Sequence, residues 1–235
     1  MDYGGENFTE GALMPQKRRG AEVAMSILVN LLLVILAGLI VMYFLLSPIP
    51  VSGTSMLNTI ESGENVLVLK SFYSVERGDI VIVDLEKADR RSDDGVDLII
   101  KRAVALEGDR FAFIYRPEPQ SAKLDLWLKR AGETEFQKPD EPYTLDADML
   151  YSSRIFVAFQ VLPPGTTPDD QNSTLVGAGQ LLALGDNRNI SLDSRFHGLF
   201  DLKDLHGKFL MILDDNAFLN AFFNFMYTIK PQGGA

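Results

Sequence analysis

One stretch of the sequence predicts a β-strand and has two adjacent cations at its centre: Leu98-Ile99-Ile100-Lys101-Arg102-Ala103-Val104-Ala105-Leu106. Other short runs rich in Val, Ile, Leu and Phe, most of them bounded by turn residues, predict further strands: Asn65–Leu69, Gly78–Leu85, Arg110–Tyr115, Arg154–Val161 and Gln180–Leu184. No long amphipathic helical pattern occurs between residues 60 and 185, and the polar stretches 86–97 and 162–174 predict exposed loops. The sequence therefore predicts a mainly β domain.

Ahead of this domain, Val23–Leu46 is a 24-residue apolar run without a charge. As a helix it would be about 36 Å long, enough to cross a hydrocarbon core of about 30 Å. Lys17-Arg18-Arg19 precedes it, and this basic triplet predicts a cytoplasmic N-terminal side. We expect a cytoplasmic tail over 1–22, a transmembrane anchor over 23–46 and an extracytoplasmic domain over 47–213.

Two alternatives to an anchor are weaker. A cleavable signal peptide has an apolar region of about 7–15 residues, and Ser47-Pro48-Ile49-Pro50 offers no small-x-small cleavage site. A buried helix of a soluble domain would carry some charge over this length. The two prolines instead predict the end of the helix.

The composition narrows the function classes. The net charge is −10, and the chain after residue 46 is acidic, which argues against a nucleic-acid partner. The absence of Cys excludes disulfides, a thiolate zinc site and a Cys nucleophile. The apolar segment within 214–235 is too short to span a bilayer, so it predicts either a helix that packs on the domain or one at the membrane surface.

Ser55 is the first candidate for catalysis, within Gly53-Thr54-Ser55-Met56-Leu57-Asn58-Thr59. It follows Leu46 by nine residues, so it lies at most about 30 Å from the end of the predicted helix. A Gly two positions before a Ser suits a backbone that approaches a ligand closely. Taken alone, a Ser in such a loop is more often a turn residue.

Lys101 is the second candidate. Period-two geometry places it on the same strand face as Ile99 and Ala103, opposite Arg102. A Lys between apolar neighbours on a core-facing side is desolvated, which lowers the pKa of its amine and allows it to accept a proton from a Ser hydroxyl. The alternative is an edge-strand Lys that reaches solvent.

The third candidate is the polar run Gly185-Asp186-Asn187-Arg188-Asn189-Ile190-Ser191-Leu192-Asp193-Ser194-Arg195. Gly-Asp-Asn after an apolar strand predicts a turn. If the rest is extended, Ser191, Asp193 and Arg195 point to one side, where the last two can pair and Ser191 offers a hydroxyl to a base. A solvated charged loop is the alternative.

Together the three runs resemble the signature boxes of bacterial type I signal peptidases, in the family's order. The residues that carry the resemblance are Ser55-Met56, Lys101-Arg102, Gly185–Arg188 and Ser191-x-Asp193-Ser194-Arg195. Arg77–Val81, Gly108-Asp109 and, less specifically, Asp140–Tyr143 are similar to further family stretches. The resemblance covers about residues 17–213 and implies a coiled, largely antiparallel β-sheet domain with a cleft for Ala-x-Ala motifs.

The resemblance implies that Ser55 is the nucleophile, with its backbone N–H in the oxyanion hole, and that Lys101 is the general base. The supporting residues that it implies are Ser191, which would orient the Lys amine, and Asp186, Arg188, Asp193 and Arg195, which would hold the third run in place. No cofactor or metal is implied. The implied partners are signal peptides of exported preproteins, the lipid bilayer and, by proximity, the export machinery, with a monomeric enzyme at the plasma membrane.

Two positions depart from the family pattern, and a third distinguishes its members. Asn58 stands where the family usually has a proline, which should loosen the turn after the nucleophile, and Glu107 stands where a proline is frequent. Gly53 resembles the Gram-positive pattern. In other members a Ser at this position adds a hydroxyl to the oxyanion hole, so the second oxyanion donor is open.

Rival functions are less well supported. A Ser-His-Asp triad would need His197 or His206 beside Ser55, and a metal site would need these two His with Asp201 or Asp204. Self-cleaving repressors of the SOS type share the Ser/Lys pair but lack an anchor. An inactive, anchored binding protein would be expected to have lost the Ser or the Lys.

Overall fold

The computed structural model describes residues 16–90, 97–119, 121–146, 148–152 and 156–213, with side chains from Gly20 onward. The predicted C-terminal segment 214–235 and the first fifteen residues of the predicted tail lie outside the described residues. The chain divides into two compact units, Met1–Phe44 and Leu45–Ala235.

The first unit holds helix α1, which spans Gln16–Leu45. Its stretch Gly20–Leu45 is long and apolar enough to cross a membrane, with a mean hydropathy of 2.8. The helix begins seven residues before the predicted start because residues 16–22 contain several good helix formers. It ends at Leu45 because Leu46 already pairs with Leu69 in a sheet.

The second unit is mainly β, as predicted. Its strands are β1 Leu46–Pro50, β2 Asn65–Leu69, β3 Ile80–Asp84, β4 Leu98–Leu106, β5 Arg110–Pro117, β6 Ala122–Lys129, β7 Met149–Leu150, β8 Val161–Leu162, β9 Thr174–Leu175, β10 Gln180–Leu184, β11 Phe200–Asp201 and β12 Leu205–Leu213. A four-residue helix, α2 Ser194–His197, and a 3-10 turn, Leu202–Asp204, precede and follow β11.

The strands form two sheets. A seven-stranded antiparallel sheet has the order β1-β2-β12-β3-β4-β10-β11. A second sheet has the order β7-β6-β5-β8, with β9 also paired to β5, and its β5–β8 pair is parallel. This arrangement confirms the predicted fold class, a largely antiparallel β domain with one N-terminal apolar helix.

Several elements differ from the predicted strands. The longer strands β6 and β12 and the two-residue strands β7, β9 and β11 were not predicted. Neither was β1, whose two prolines suggested only a helix end. Proline is tolerated in β1 because this strand lies at the sheet edge. The predicted strand Arg154–Val161 is wrong in its described part, since residues 156–160 are irregular and strand pairing starts only at Val161.

Strand β4 lies among three core clusters and fixes the position of the site. Val104 packs in the cluster of the second sheet, Ile100 packs with residues of β1 and β2, and Ala103 packs with residues of β3 and β10. Because apolar neighbours surround β4 and strands pair with both its edges, side chains at its centre have little freedom to move.

Candidate active site

Ser55 and Lys101 meet in the structure. Lys101 Nζ donates a hydrogen bond to Ser55 Oγ at 2.9 Å and another to the carbonyl oxygen of Ile100 at 2.9 Å. Lys101 is 3% exposed, and Ser55 is half-buried. Since β4 pairs with β3 on one side and with β10 on the other, the edge-strand alternative for Lys101 is wrong.

A short helical turn presents Ser55. The N–H of Leu57 donates to the carbonyl of Thr54, and the N–H groups of Thr59 and Ile60 donate to the carbonyl of Met56. Met56 and Ile60 are buried in the same core cluster and fix the turn against the domain core. Val51, which precedes Ser55, belongs to the same cluster, so the loop is anchored on both sides of the nucleophile candidate.

The backbone of this loop contains two left-handed positions. Gly53 has φ 96° and Asn58 has φ 84°. Glycine adopts such angles freely, and Asn tolerates them better than most residues do. A proline, whose ring holds φ near −65°, cannot adopt the conformation of Asn58. The turn after Ser55 thus has a geometry that the usual family residue could not reproduce.

The third polar run is not extended. Asp193 is the N-cap of α2, and its carboxylate accepts a hydrogen bond from the N–H of Arg195 at 3.1 Å. The same carboxylate forms a two-pronged ion pair with the Arg195 guanidinium at 2.7 and 2.8 Å. The predicted pairing is therefore present, but a helix cap produces it rather than strand alternation.

The pair Asp193–Arg195 is completely enclosed, with both side chains 0% exposed. Burial would raise the pKa of Asp193, but Arg195 and the backbone N–H of Gly185 hold the pKa below its ordinary value. Arg195 also donates to the carbonyls of Arg188 and Ser191. The ion pair thus ties together the start, middle and end of the third run.

Ser191 lies beside Gly185, which starts the third run. Its hydroxyl is buried and makes no hydrogen bond within the described part of the chain. A Cβ added to Gly185 would lie 2.2 Å from this hydroxyl and 2.6 Å from the carbonyl oxygen of Ser55. Gly185 therefore lets Ser191 and the Ser55 loop approach the same backbone position, while the hydroxyl of Ser191 has unused hydrogen-bonding capacity.

Asp186 joins the nucleophile loop to β4. The register pairs Leu184 with Arg102, which brings Asp186 beside the Arg102 guanidinium. Arg102 donates to the two carboxylate oxygens at 2.8 and 2.6 Å, and Thr59 Oγ1 donates to one of them at 2.5 Å. This buried contact links all three sequence runs.

Arg188 makes a second ion pair that the sequence did not single out. It donates to the Glu141 carboxylate at 2.7 and 2.5 Å and to the Gly185 carbonyl at 3.0 Å. Burial opposes the charge, but Glu141 raises the pKa of Arg188, so the guanidinium stays protonated.

Tyr143 donates to the same Glu141 carboxylate, and its ring stacks 4.0 Å from the Arg102 guanidinium carbon. Burial, together with Glu141, raises the pKa of Tyr143 well above its ordinary value.

Asn187 is a further contact that was missed. Its N–H donates to the carbonyl of Ser55 at 2.9 Å, and its side-chain amide donates to the carbonyl of Thr54 at 3.2 Å. The weak resemblance at Asp140–Tyr143 was the available signal for Glu141. Thr59 and Asn187 lie within the first and third runs, but no local pattern gave them a role, because their contacts join residues more than a hundred positions apart.

A cleft of about 230 Å³ opens at Ser55 and Lys101. Two segments border it, Ile49–Met56 and Leu98–Lys101, and the other lining residues are Leu85, Ile190, Leu192, Phe196 and His197. The lining is mostly apolar. An extended peptide backbone can lie between the two segments with its carbonyl group near the Ser55 hydroxyl.

The rival sites are not supported. The hydroxyl of Ser55 is bonded to Lys101 rather than to His197, although His197 lines the same cleft. Within the described ranges no group of three or more His, Asp or Glu could hold a metal ion. The remaining chemistry is that of a Ser hydroxyl beside a buried amine.

Comparisons with known proteins identify a family. The family described as signal peptidase, peptidase S26, matches residues 22–213. A signal peptidase IB of Staphylococcus aureus is 29% identical over 171 residues, which cover 70% of this chain and 76% of that protein. A signal peptidase I of Bacillus caldolyticus is 30% identical over 169 residues, which cover 70% and 78%. A signal peptidase I crystal structure from Enterococcus faecalis aligns with a TM-score of 0.32 and 20% identity, over 60% of this chain and 100% of that one.

An apolar helix long enough to cross a membrane, ahead of a β domain with a Ser at its cleft, is typical of the class of membrane-anchored serine peptidases. Because the family match runs from within α1 to the last described strand, the chain belongs to the signal peptidase family, peptidase S26. It is a serine peptidase that cleaves signal peptides.

Proposed function

We propose that this enzyme cleaves exported preproteins after Ala-x-Ala motifs, with Ser55 as nucleophile and Lys101 as general base. The observation that carries the proposal is the 2.9 Å contact between Ser55 Oγ and the buried amine of Lys101. A hydroxyl needs an adjacent base to become a nucleophile, and an uncharged amine in an apolar site is such a base.

The reaction has two stages. In the first, the free amine of Lys101 takes the proton of Ser55 Oγ while this oxygen attacks the scissile carbonyl, and the resulting ammonium returns the proton to the leaving amine of the mature protein. In the second, Lys101 takes a proton from water while the hydroxide attacks the ester on Ser55. The Lys101 ammonium then returns this proton to Ser55 Oγ as the ester bond breaks, and the signal peptide leaves as a carboxylic acid that ionises in water. The base is thus restored to its free form.

The oxyanion of the tetrahedral intermediate would bind to the backbone N–H of Ser55. Gly53 supports this geometry through its left-handed φ of 96°, but it supplies no hydroxyl. Ser191 would orient the Lys101 amine through its buried, unused hydroxyl. The ion pairs of Asp186, Arg188, Asp193 and Arg195 would keep this loop in place.

The lining of the cleft supports specificity for small residues. Ile49, Val51, Met56 and Ile100 belong to one buried cluster and form an uncharged wall beside Ser55. Close-packed walls of this kind exclude large or charged side chains. The −1 and −3 residues of the signal peptide would face this wall.

The topology and partners are part of the same proposal. The basic residues 17–19 would place the N-terminus in the cytoplasm, and the catalytic domain, residues 47–213, would then act outside it. The site would work near the membrane, beside the export machinery, as a monomer without a nucleic-acid partner. The segment 214–235 would pack on the domain or lie at the membrane surface.

The full chain in proteoliposomes, given a preprotein with an Ala-x-Ala site, tests the assignment. Ser55→Ala and Lys101→Met should each reduce cleavage by about 10³-fold or more. Ser71→Ala and Lys203→Met change an exposed Ser and an exposed Lys and should cleave normally. Cleavage by either active-site variant at the normal rate would disprove the assigned roles. Replacing the −1 Ala by Phe in the substrate should abolish cleavage if the motif is right.

A further inference from the structure

The cleft at Ser55 has two walls, one around Ile49 and one around Ile99, and they belong to different core clusters. Ile100 packs with Ile49 and Met56 in one buried cluster, whereas Ile99, its neighbour on β4, packs with Leu85 and Phe200 in another. Successive residues of β4 therefore contribute to opposite walls. An extended peptide in the cleft also alternates its side chains, so its −1 and −3 residues face one wall and its −2 residue faces the other.

The wall on the side of Ile99 contains His197. This residue ends α2, and its imidazole packs edge-on against Phe196 at 4.9 Å between ring centroids and lies 5.9 Å from the ring of Phe200. Leu192 extends the same wall and is 39% exposed. This side is open enough to accept side chains of different sizes, unlike the closed wall around Ile49.

Among the residues that line the cleft in the described part of the chain, Lys101 and His197 are the ionisable ones. Lys101 is committed to Ser55 in the proposed mechanism. His197 can therefore act on the substrate as an aromatic surface, as a hydrogen-bonding group and, once protonated, as a cation.

We propose that His197 contacts the variable −2 residue of the signal peptide and makes the choice of this residue depend on pH. The protonated imidazole favours a carboxylate at −2 over a neutral side chain of the same shape, and the neutral imidazole does not. This inference rests on the proposed function, since it takes Ser55 as the point of cleavage.

The surroundings of His197 contain charges of both signs. Lys101 lies in the same cleft, and Arg90 donates to the carbonyls of Gly198 and Leu199 just after α2. Asp201 and Asp204 interact with Arg90 and offset its charge. Within α2 and its cap, Arg195 is neutralised by Asp193. An unperturbed imidazole changes its charge between about pH 5 and 8, whereas the other charged groups named here ordinarily do not.

Competition between two peptides in one tube tests the proposal. The peptides carry Ala-Asp-Ala or Ala-Asn-Ala before the scissile bond, and the ratio of their kcat/KM values is measured from pH 8 to pH 6 with the full chain in detergent. Protonation of Lys101 affects both peptides equally and cancels in the ratio. The Asp:Asn ratio should rise by about 3-fold as the pH falls, as for a partly exposed ion pair.

Variants locate the effect. In His197→Gln the ratio should stay constant with pH, and in His197→Lys it should be high at every pH. His206→Gln is the matched control, because His206 lies on β12 and does not line the cleft, and it should behave as the natural enzyme does. A flat ratio in the natural enzyme, or a pH-dependent ratio in His197→Gln, overturns the proposal whatever the other variants do. Cleavage by Ser55→Ala would instead refute the proposed function.

Discussion

Asn58 shows how one backbone angle can matter more than a family pattern. Its φ of 84° follows the helical turn that presents Ser55. We expect Asn58→Pro, which restores the usual family residue, to destabilise the protein by about 3 kcal/mol or more, because proline cannot reach this angle. Asn58→Gly should stay within about 1 kcal/mol of the natural chain. Chemical denaturation of both variants gives the comparison, and a stable Asn58→Pro variant would contradict it.

Gly185 offers a second test at the residue scale. A methyl group at this position meets the Ser55 carbonyl oxygen at 2.6 Å and Ser191 at closer range, and a backbone oxygen cannot rotate away. Gly185→Ala should therefore displace the nucleophile loop and lower kcat/KM by about 10²-fold. Gly207→Ala is the control. A methyl group at Gly207, which lies on β12, would also meet a backbone oxygen, that of Leu69 on β2, at 2.5 Å. This control should lose stability while its folded fraction stays active. Full activity in folded Gly185→Ala would show that the loop tolerates the methyl group.

In the proposed mechanism, Lys101 gives the enzyme an acid limit, because only the free amine can take the proton of Ser55 and acidification converts it to the ammonium form. Below the pKa of this amine, kcat/KM should fall by about tenfold per pH unit. The profile should be recorded with the neutral Ala-Asn-Ala peptide, and the same fall should persist in His197→Gln. A profile that is flat down to about pH 5 would exclude an amine base, since even buried lysines rarely titrate lower.

At the scale of elements, the cap of α2 makes stability depend on pH. The pKa of Asp193 is lower in the folded chain than the unfolded value of about 3.9, so its contribution is complete at neutral pH and is lost as the pH falls below that value. Asp193→Asn leaves Arg195 buried without a counter-charge and should cost about 3–5 kcal/mol at pH 7. Urea denaturation should show that this difference shrinks towards pH 3. The control Asp148→Asn, in an exposed ion pair, should change little.

Some elements could be predicted from the sequence because their signals are local. The apolar run of α1, the strand β4 and the turn after β10 are all visible in short windows. β6 escaped notice although its burial alternates at Leu124, Leu126 and Leu128, with Asp125 and Trp127 between them. β12 contains a Gly and a shift in register, which weaken its periodicity.

The candidate site residues could be predicted because the reactivity of each one can be judged from its residue type alone. A Ser, a Lys and a charged loop can be recognised as reactive types, and the family resemblance put them together. The residues that hold these side chains and loops in place could not be found in this way. Glu141, Thr59 and Asn187 act through contacts that exist only after folding. The helix at Asp193 was missed because a four-residue element has almost no periodicity to detect.

At the scale of the molecule, β1 belongs to the catalytic unit although it directly follows the membrane helix. It pairs along its length with β2 and buries Ile49 in the core. A chain that begins at Leu45 should therefore fold and cleave peptides in detergent. A chain that begins at Val51 should lose at least about 2–3 kcal/mol with the burial of Ile49 alone, besides the strand pairing. Circular dichroism and a cleavage assay would compare the two, and equal stability would show β1 to be dispensable.

The hydrogen bonds of Asp186 and Asn187 join positions that are 127 and 133 residues apart along the chain. A growing polypeptide exposes Ser55 first, Lys101 later and the loop that carries these two residues last. Until that loop arrives, Ser55 lacks the backbone contacts that help to hold it beside Lys101. The order of synthesis therefore delays assembly of the site until most of the chain has emerged from the ribosome.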